Sequence, residues 1–382
     1  MEAPLTPPAP ERGRAPERPD APLLPQGLDT PALVIDLDIV ERNARRLAEA
    51  LGRRSIALRP HVKTHKSLRL GRLQLEAGAR GITVGTLGEA EVFAGGGFDD
   101  VFLAYPVWAE GPKAARLRAL HERPGWRFTV GFDSIEGARR LAGAVAGTGK
   151  PLPVVLELDP GNRRTGAPAD RAGEIATAAR ALGLEVIGVF THGGHGYRPG
   201  AAEGAGADEV VALSAGAAAL AAAEIDPQVV SAGSTPTQLS AAVAPVNEIR
   251  AGTYLLGDRQ QWAIGAVPAD GIAIAVAATV VSDAVDGQIV LDAGAKTLTK
   301  DVAPYLEGHG LLPAYPEAVI ERVSDYHGVV RIPEGAPKPG LGELVAVIPN
   351  HTCPVVDLRD TFVATRSGEI VGVWPVDARG RL

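Results

Sequence analysis

Three stretches of this chain collect side chains that can do chemistry. The first is "LRPHVKTHKS", residues 58–67, which holds Arg59, His61, Lys63, His65 and Lys66 directly after the apolar run "IAL". A lysine there stands at the end of a buried strand, and a primary amine so placed can form a Schiff base or act as a base. The second is "AGSTPT", residues 232–237. Gly233 lets a ligand approach the backbone, Ser234 and Thr235 offer hydroxyls, and the N–H groups that follow can open a helix whose N-terminus favours phosphate. An ordinary Ser/Thr helix cap accounts for the same residues. The third is "PNHTCP", residues 349–354. His351 and Cys353 are two apart, on one face of a strand end. Imidazole and thiolate form a soft pair that suits zinc, and plain packing of a buried cysteine beside a histidine is the alternative. A lysine facing a phosphate site suggests pyridoxal phosphate.

These residues need a frame to bring them together. "ALVIDLD" (32–38) reads as a strand and "IVERNARRLAEALG" (39–52) as a helix. Strands follow at 55–63, 81–86, 100–107, 128–134, 152–159, 184–192, 228–234 and 248–257, with helical patterns in most gaps. Short continuous apolar runs are expected of parallel strands buried on both faces, and the alternation means a parallel α/β sheet. Eight strands counted from Ser55 predict a (β/α)8 barrel, with a doubly wound sheet as the rival. After Asp258 the helical patterns stop, and strands at 272–283, 288–294, 327–332, 344–351, 361–365 and 369–376 predict a mostly antiparallel β domain. The expected division is a disordered tail over 1–25, a lead-in over 26–54, the barrel over 55–258 and the β domain over 259–382.

In that frame the polar residues fall on one rim. Lys63 ends the first barrel strand. Asp159, Gly161 and Arg164 follow the fifth, and His192, His195 and Tyr197 of "THGGHGY" follow the sixth. "GSTPT" follows the seventh, and Tyr254 ends the eighth. Barrel active sites lie at the C-terminal ends of the strands.

Composition bounds the partners. Among 382 residues, 46% are hydrophobic and 22% charged, as in an ordinary globular protein. A net charge of −7 without a long basic run argues against nucleic acid. The only cysteine, Cys353, excludes an internal disulfide framework and fits a reducing cytosol. The Pro-, Arg- and Glu-rich first 25 residues lack the apolar segment of a signal peptide, and no later segment is expected to span a membrane.

"RPHVKTHK" closely resembles the lysine segment of the D-serine dehydratase and D-threonine aldolase family of pyridoxal-phosphate enzymes, whose fold is that of alanine racemase. The resemblance continues through "GTLGEAE" (85–91), "LAYPV" (103–107), "LDPGNRRTG" (158–166), "GGHGY" (193–197), "AGSTPT", "EIRAGTY" (248–254), "LDAGAK" (291–296) and "PNHTCP", nearly everything but the tail. It implies that "ALVIDLD" belongs to the β domain and that the barrel starts at Ser55. It also implies that Lys63 carries the cofactor as a Schiff base and that Arg164 contacts its phenolic oxygen. His192, Tyr197, Gly233, Ser234, Thr235 and Tyr254 complete the expected cofactor shell. Arg250 stands where alanine racemases place the arginine facing the pyridine nitrogen, and His61 packs beneath the cofactor or serves the core. Lys66 and Arg163 are expected on the surface. The family's dehydratases bind zinc through the His-x-Cys pair, here His351 and Cys353, with manganese or magnesium as other candidate ions.

The expected reaction is dehydration and deamination of a D-β-hydroxy amino acid, with Lys63 taking the α-proton and the metal polarising the β-hydroxyl. Aldol cleavage between Cα and Cβ would use the same residues. A racemase, with Tyr197 as second base, would not need the metal pair, and a non-catalytic cofactor-binding protein would not need the β domain. The family pairs as a symmetric dimer, one barrel mouth against the partner's β domain.

Overall fold

The computed structural model describes residues 18–382. Most of the expected disordered tail, residues 1–17, lies outside the described residues. Residues 18–25 form no regular element, yet Pro19 and Pro25 are buried.

The described residues build two sheets of eight strands each. Strand β1 (Ala32–Asp36) runs into helix α1 (Leu37–Gly52), whose N-cap Asp36 accepts the N–H groups of Asp38 and Ile39. The parallel sheet then takes β2 (Ala57–Leu58), β3 (Ile82–Val84), β4 (Asp100–Leu103), β5 (Arg127–Phe132), β6 (Pro153–Glu157), β7 (Glu185–Phe190), β8 (Val229–Ala232) and β9 (Glu248–Ile249). Between them lie α2 (Leu68–Glu76), α3 (Leu87–Gly95), α4 (Pro112–Glu122), α5 (Ile135–Ala144), α6 (Ala172–Ala181) and α7 (Ala202–Ala222). Neighbours pair in the order β2-β9-β8-β7-β6-β5-β4-β3. A parallel bridge from His61 to Thr83 joins the two edges, with the Thr83 N–H donating to Pro60 O at 2.8 Å. Buried Arg59 fastens this seam: its guanidinium holds Glu248 of β9 and Asp100 of β4, each at 2.7 Å.

The second sheet is mostly antiparallel. It contains β10 (Ile274–Ser282), β11 (Gln288–Leu291), β12 (Val319–Val323), β13 (Gly328–Arg331), β14 (Leu344–Val347), β15 (Thr361–Arg366) and β16 (Glu369–Pro375). β1 lies within it, antiparallel to β10 and parallel to β15. Three short helices accompany it: α8 (Arg259–Ala263), α9 (Ala295–Leu298) and α10 (Thr352–Asp357).

The structure departs from the sequence reading where local rules compete. The strand expected over 55–63 is regular only at Ala57–Leu58, because Pro60 has no N–H for the ladder. Lys63 therefore sits in a 3₁₀ turn, Val62–Thr64, rather than on a strand. Strand β14 stops at Val347, so His351 and Cys353 do not share a strand face: His351 is the N-cap of α10 and Cys353 lies in its first turn. No helix follows "AGSTPT"; residues 235–240 are consecutive turns. Strand β12 went unread because its run is short, carries Glu321 and Arg322, and shifts register between Ile320 and Arg322. Finally, α7 has 21 residues with mean hydropathy 1.3 over its apolar window, enough by length and composition to cross a membrane, contrary to expectation. It instead packs on the barrel with Leu213, Leu220 and the carboxylate of Glu209 all buried.

Candidate active site

A cleft of about 820 Å³ opens where the C-terminal ends of the barrel strands meet the β domain. Its walls include Lys63, Arg164, His192, Tyr197, Gly233, Ser234 and Arg250 from the barrel, and Asp301, His351 and Cys353 from the second sheet's connections. Lys63 is exposed to this space. Its turn is fixed from behind, because His61 Nδ1 accepts the Lys63 N–H at 3.3 Å. Burial holds His61 far below the usual imidazole range, reinforced by Lys63 and Arg250, so it stays neutral and can accept. His65 belongs to the core: its ring bonds Gln74 at 3.1 Å and accepts the Ser67 N–H, and burial lowers it to about 4.

On the opposite wall His192 is kept neutral by burial and by Lys63 and Arg164. Burial pushes the Tyr197 hydroxyl upward, so it stays protonated. Gly233 has φ +110°, a conformation that L side chains rarely adopt, and it turns the chain so that Ser234 faces the cleft. Arg250 is buried, donates to the Thr191 carbonyl and lies over the Phe190 ring at 5.0 Å. Two of the expected cofactor contacts are not brought to the cleft as side chains. The Tyr254 hydroxyl accepts from Gln74 Nε2 at 3.0 Å, and Thr235 Oγ1 accepts the Tyr254 N–H at 3.1 Å.

His351 and Cys353 meet across the first turn of α10. Burial alone would lower the imidazole and raise the thiol. Their mutual pairing does the reverse: Cys353, helped by Asp258 and Asp301, takes His351 up to about 10, and His351 draws Cys353 down. The Cys353 thiol also lies 3.6 Å from Thr64 Oγ1, which links it to the Lys63 turn. His351 Nδ1 is 2.5 Å from Asp301 Oδ2, so the ring is held by a carboxylate on one nitrogen. Among the described residues no group of three or more His, Cys, Asp and Glu side chains could hold a metal ion. A two-ligand N/S site with open positions still matches this donor set, and Asp301 is the kind of outer partner that orients a ligating imidazole.

Several functional neighbours escaped the sequence reading. Lys66 is no surface residue: it is 6% exposed, adopts φ +49° and pairs with Asp357 of α10 at 2.6 Å and Glu89 of α3 at 3.6 Å. It thereby ties the Lys63 turn to the helix carrying Cys353. Arg163 is exposed as expected. Glu157 ends β6 on the cleft floor, only 3% exposed, and burial raises it to about 7. Its signal was a lone carboxylate in the apolar run "VVLEL". Asp301 lies in an irregular connection with no pattern to betray it.

Pyridoxal phosphate fits what is present. Lys63 supplies an amine facing the cleft, Arg164 a cation, Ser234 a hydroxyl beside a tight glycine turn, and the floor holds two buried polar atoms without a partner, Glu157 Oε2 and Arg250 Nε.

Comparison with known proteins agrees. The model of the alanine racemase N-terminal domain matches residues 35–260, and that of a serine dehydratase domain matches residues 273–365. The chain is 34% identical to the D-threo-3-hydroxyaspartate dehydratase of Delftia sp. (strain HT23), over 91% of this chain and 97% of that protein. It is 30% identical to the D-threonine aldolase of Arthrobacter sp., over 92% and 93%. The solved Delftia dehydratase superposes with a TM-score of 0.84, covering 95% of this chain and 99% of that one. The chain belongs to the alanine racemase-like family of pyridoxal-phosphate lyases that includes the D-serine dehydratases and D-threonine aldolases.

Proposed function

We propose that this protein is a metal-assisted dehydratase of a D-β-hydroxy amino acid, releasing a 2-keto acid and ammonia, with D-serine or D-threonine as the preferred substrate. The observation that carries this reading is the His351–Cys353 pair on the wall facing Lys63 in one cleft. When bound, pyridoxal phosphate supplies an electron sink for charge developing at Cα, and a zinc ion on His351 and Cys353 supplies Lewis acidity toward the β-oxygen.

The chain's own groups divide the remaining work. Lys63 would hold the cofactor and take the α-proton, on a turn kept in place by neutral His61. Arg164 would hold the cofactor by its phenolic oxygen, and Gly233 and Ser234 would receive its phosphate. The Cys353 thiol is already drawn toward the thiolate that a metal needs, and Asp301 holds His351 by Nδ1, leaving Nε2 for the ion. Tyr197 would have to lose its proton to serve as the second base of a racemase, and its burial opposes that.

A symmetric dimer with the partner's β domain closing the cleft accords with the exposure of Tyr105 at its rim, 49%. A cytoplasmic location accords with the free thiol of Cys353.

The test is to incubate purified protein with D-serine, D-threonine and D-3-hydroxyaspartate. Keto acid with ammonia supports the proposal. Glycine with an aldehyde, or with glyoxylate, assigns aldol cleavage instead, and formation of the L-isomer assigns racemisation.

A further inference from the structure

We infer that Glu209 of α7 is a positioning residue for the phosphate end of the cofactor, setting the loop Gly233–Thr237 through hydrogen bonds that only a carboxylate can accept together. The inference rests on the cofactor reading above.

Glu209 is fully buried, on a helix otherwise dominated by alanine and other small apolar residues. Three donors converge on it. Thr191 Oγ1 at the end of β7 and the Gly233 N–H after β8 both donate to Oε1 at 2.9 Å, and Thr237 Oγ1 donates to Oε2 at 2.5 Å. An ionised carboxylate accepts only, so the Thr237 hydroxyl proton is committed to Glu209. Its lone pairs are thereby turned to Ser234, whose N–H reaches them at 3.2 Å and whose hydroxyl lies at 3.1 Å. Ser234 is the loop's hydroxyl on the cleft wall, and it is held between Thr237, set from α7 one layer behind, and the Gly193 carbonyl, to which it donates at 3.3 Å. The same contacts account for a glycine of "GGHGY". A Cβ on Gly193 would stand 2.5 Å from Glu209 Oε2 and 2.9 Å from Thr237 Cγ2. The motif makes room for the carboxylate that shapes the neighbouring loop. Glu209 also reaches the cleft floor, because Thr191 bonds it through the hydroxyl and offers its carbonyl to Arg250.

The experiment titrates apo-protein with pyridoxal phosphate and, separately, with pyridoxal, which lacks the phosphate, following the visible absorbance. Variants are Glu209→Gln, Thr237→Val and the double substitution. Glutamine keeps the size but replaces one acceptor oxygen with a donor. The expected result is a loss of pyridoxal-phosphate affinity of roughly 10- to 100-fold in each single variant, as unmade buried hydrogen bonds produce. Pyridoxal affinity should change less than about twofold, and the double variant should be scarcely worse than the singles because both cut one relay. Equal losses for both ligands would reduce Glu209 to a general structural role, and unchanged affinity would remove it from the site; either overturns the inference. Should Glu209→Gln not fold, Thr237→Val decides by the same criteria. A wild-type protein with no visible band would instead refute the cofactor reading itself.

Discussion

Replacing Lys66 with methionine probes the joint between the Lys63 turn and the helix carrying Cys353. The substitution keeps the length of the stem and removes the charge. It leaves Glu89, 2% exposed, with only the Gly85 N–H at 2.7 Å, and leaves Asp357 without its cation at 2.6 Å. Removing one member of a buried pair costs about 3–5 kcal/mol. The Asp357 side chain is 36% exposed, so solvent screens part of this and the lower end, about 3 kcal/mol, applies. The urea midpoint should fall by roughly 0.5–1 M, given a slope of a few kcal/mol per molar. The pH dependence sharpens the test. Burial holds the Glu89 pKa above its ordinary value, and Lys66 restrains that rise, so in the variant it climbs further. A raised folded-state pKa leaves stability intact below the unfolded value near 4.5 and removes it as pH rises through the folded one. Asp357, held low partly by Lys66, loses its contribution at neutral pH as well. The deficit should therefore be full at about pH 8 and shrink toward about pH 5, and Glu89→Gln should restore part of it. A variant within about 0.5 kcal/mol of wild type at pH 8, or a deficit that does not vary with pH, would refute the reasoning.

Lys63→Ala should abolish the visible absorbance of the reconstituted protein and nearly all turnover, whereas Lys66→Ala should keep the absorbance; a spectrum carries the comparison. Asp301→Asn should weaken metal binding by about 10–100-fold in a chelator competition while leaving the cofactor band unchanged; equal metal affinity would detach Asp301 from the site. His351→Ala and Cys353→Ala should stop keto acid release but retain exchange of the α-proton for deuterium, read by mass spectrometry. Glu157, raised to about 7 by burial, weakens the apo-protein as pH rises through that value, so Glu157→Gln should stabilise apo-protein by about 3 kcal/mol at pH 8 and little at pH 4. A denaturant midpoint unchanged at pH 8 would count against that shift.

What the sequence determined by itself is the order of elements and the identity of the chemically active groups. Continuous apolar runs alternating with helical patterns are local properties, and they suffice for eight parallel strands followed by an antiparallel sheet. Lys63, Arg164, Ser234, His351 and Cys353 stood out because reactive side chains at the ends of apolar runs are conspicuous in one dimension, and all five line one cleft. Only the tertiary structure decided which polar residues support them. Lys66 and Asp357 are 291 positions apart, Asp301 and His351 are 50 apart, and nothing in any of these segments announces its partner. Burial and pairing are non-local: a lysine reads as solvated until two acidic side chains from other elements close around it. The same holds for Tyr254, whose ring turned to Gln74 rather than to the cleft, and for Glu209, whose role exists only where the ends of β7 and β8 meet the side of α7.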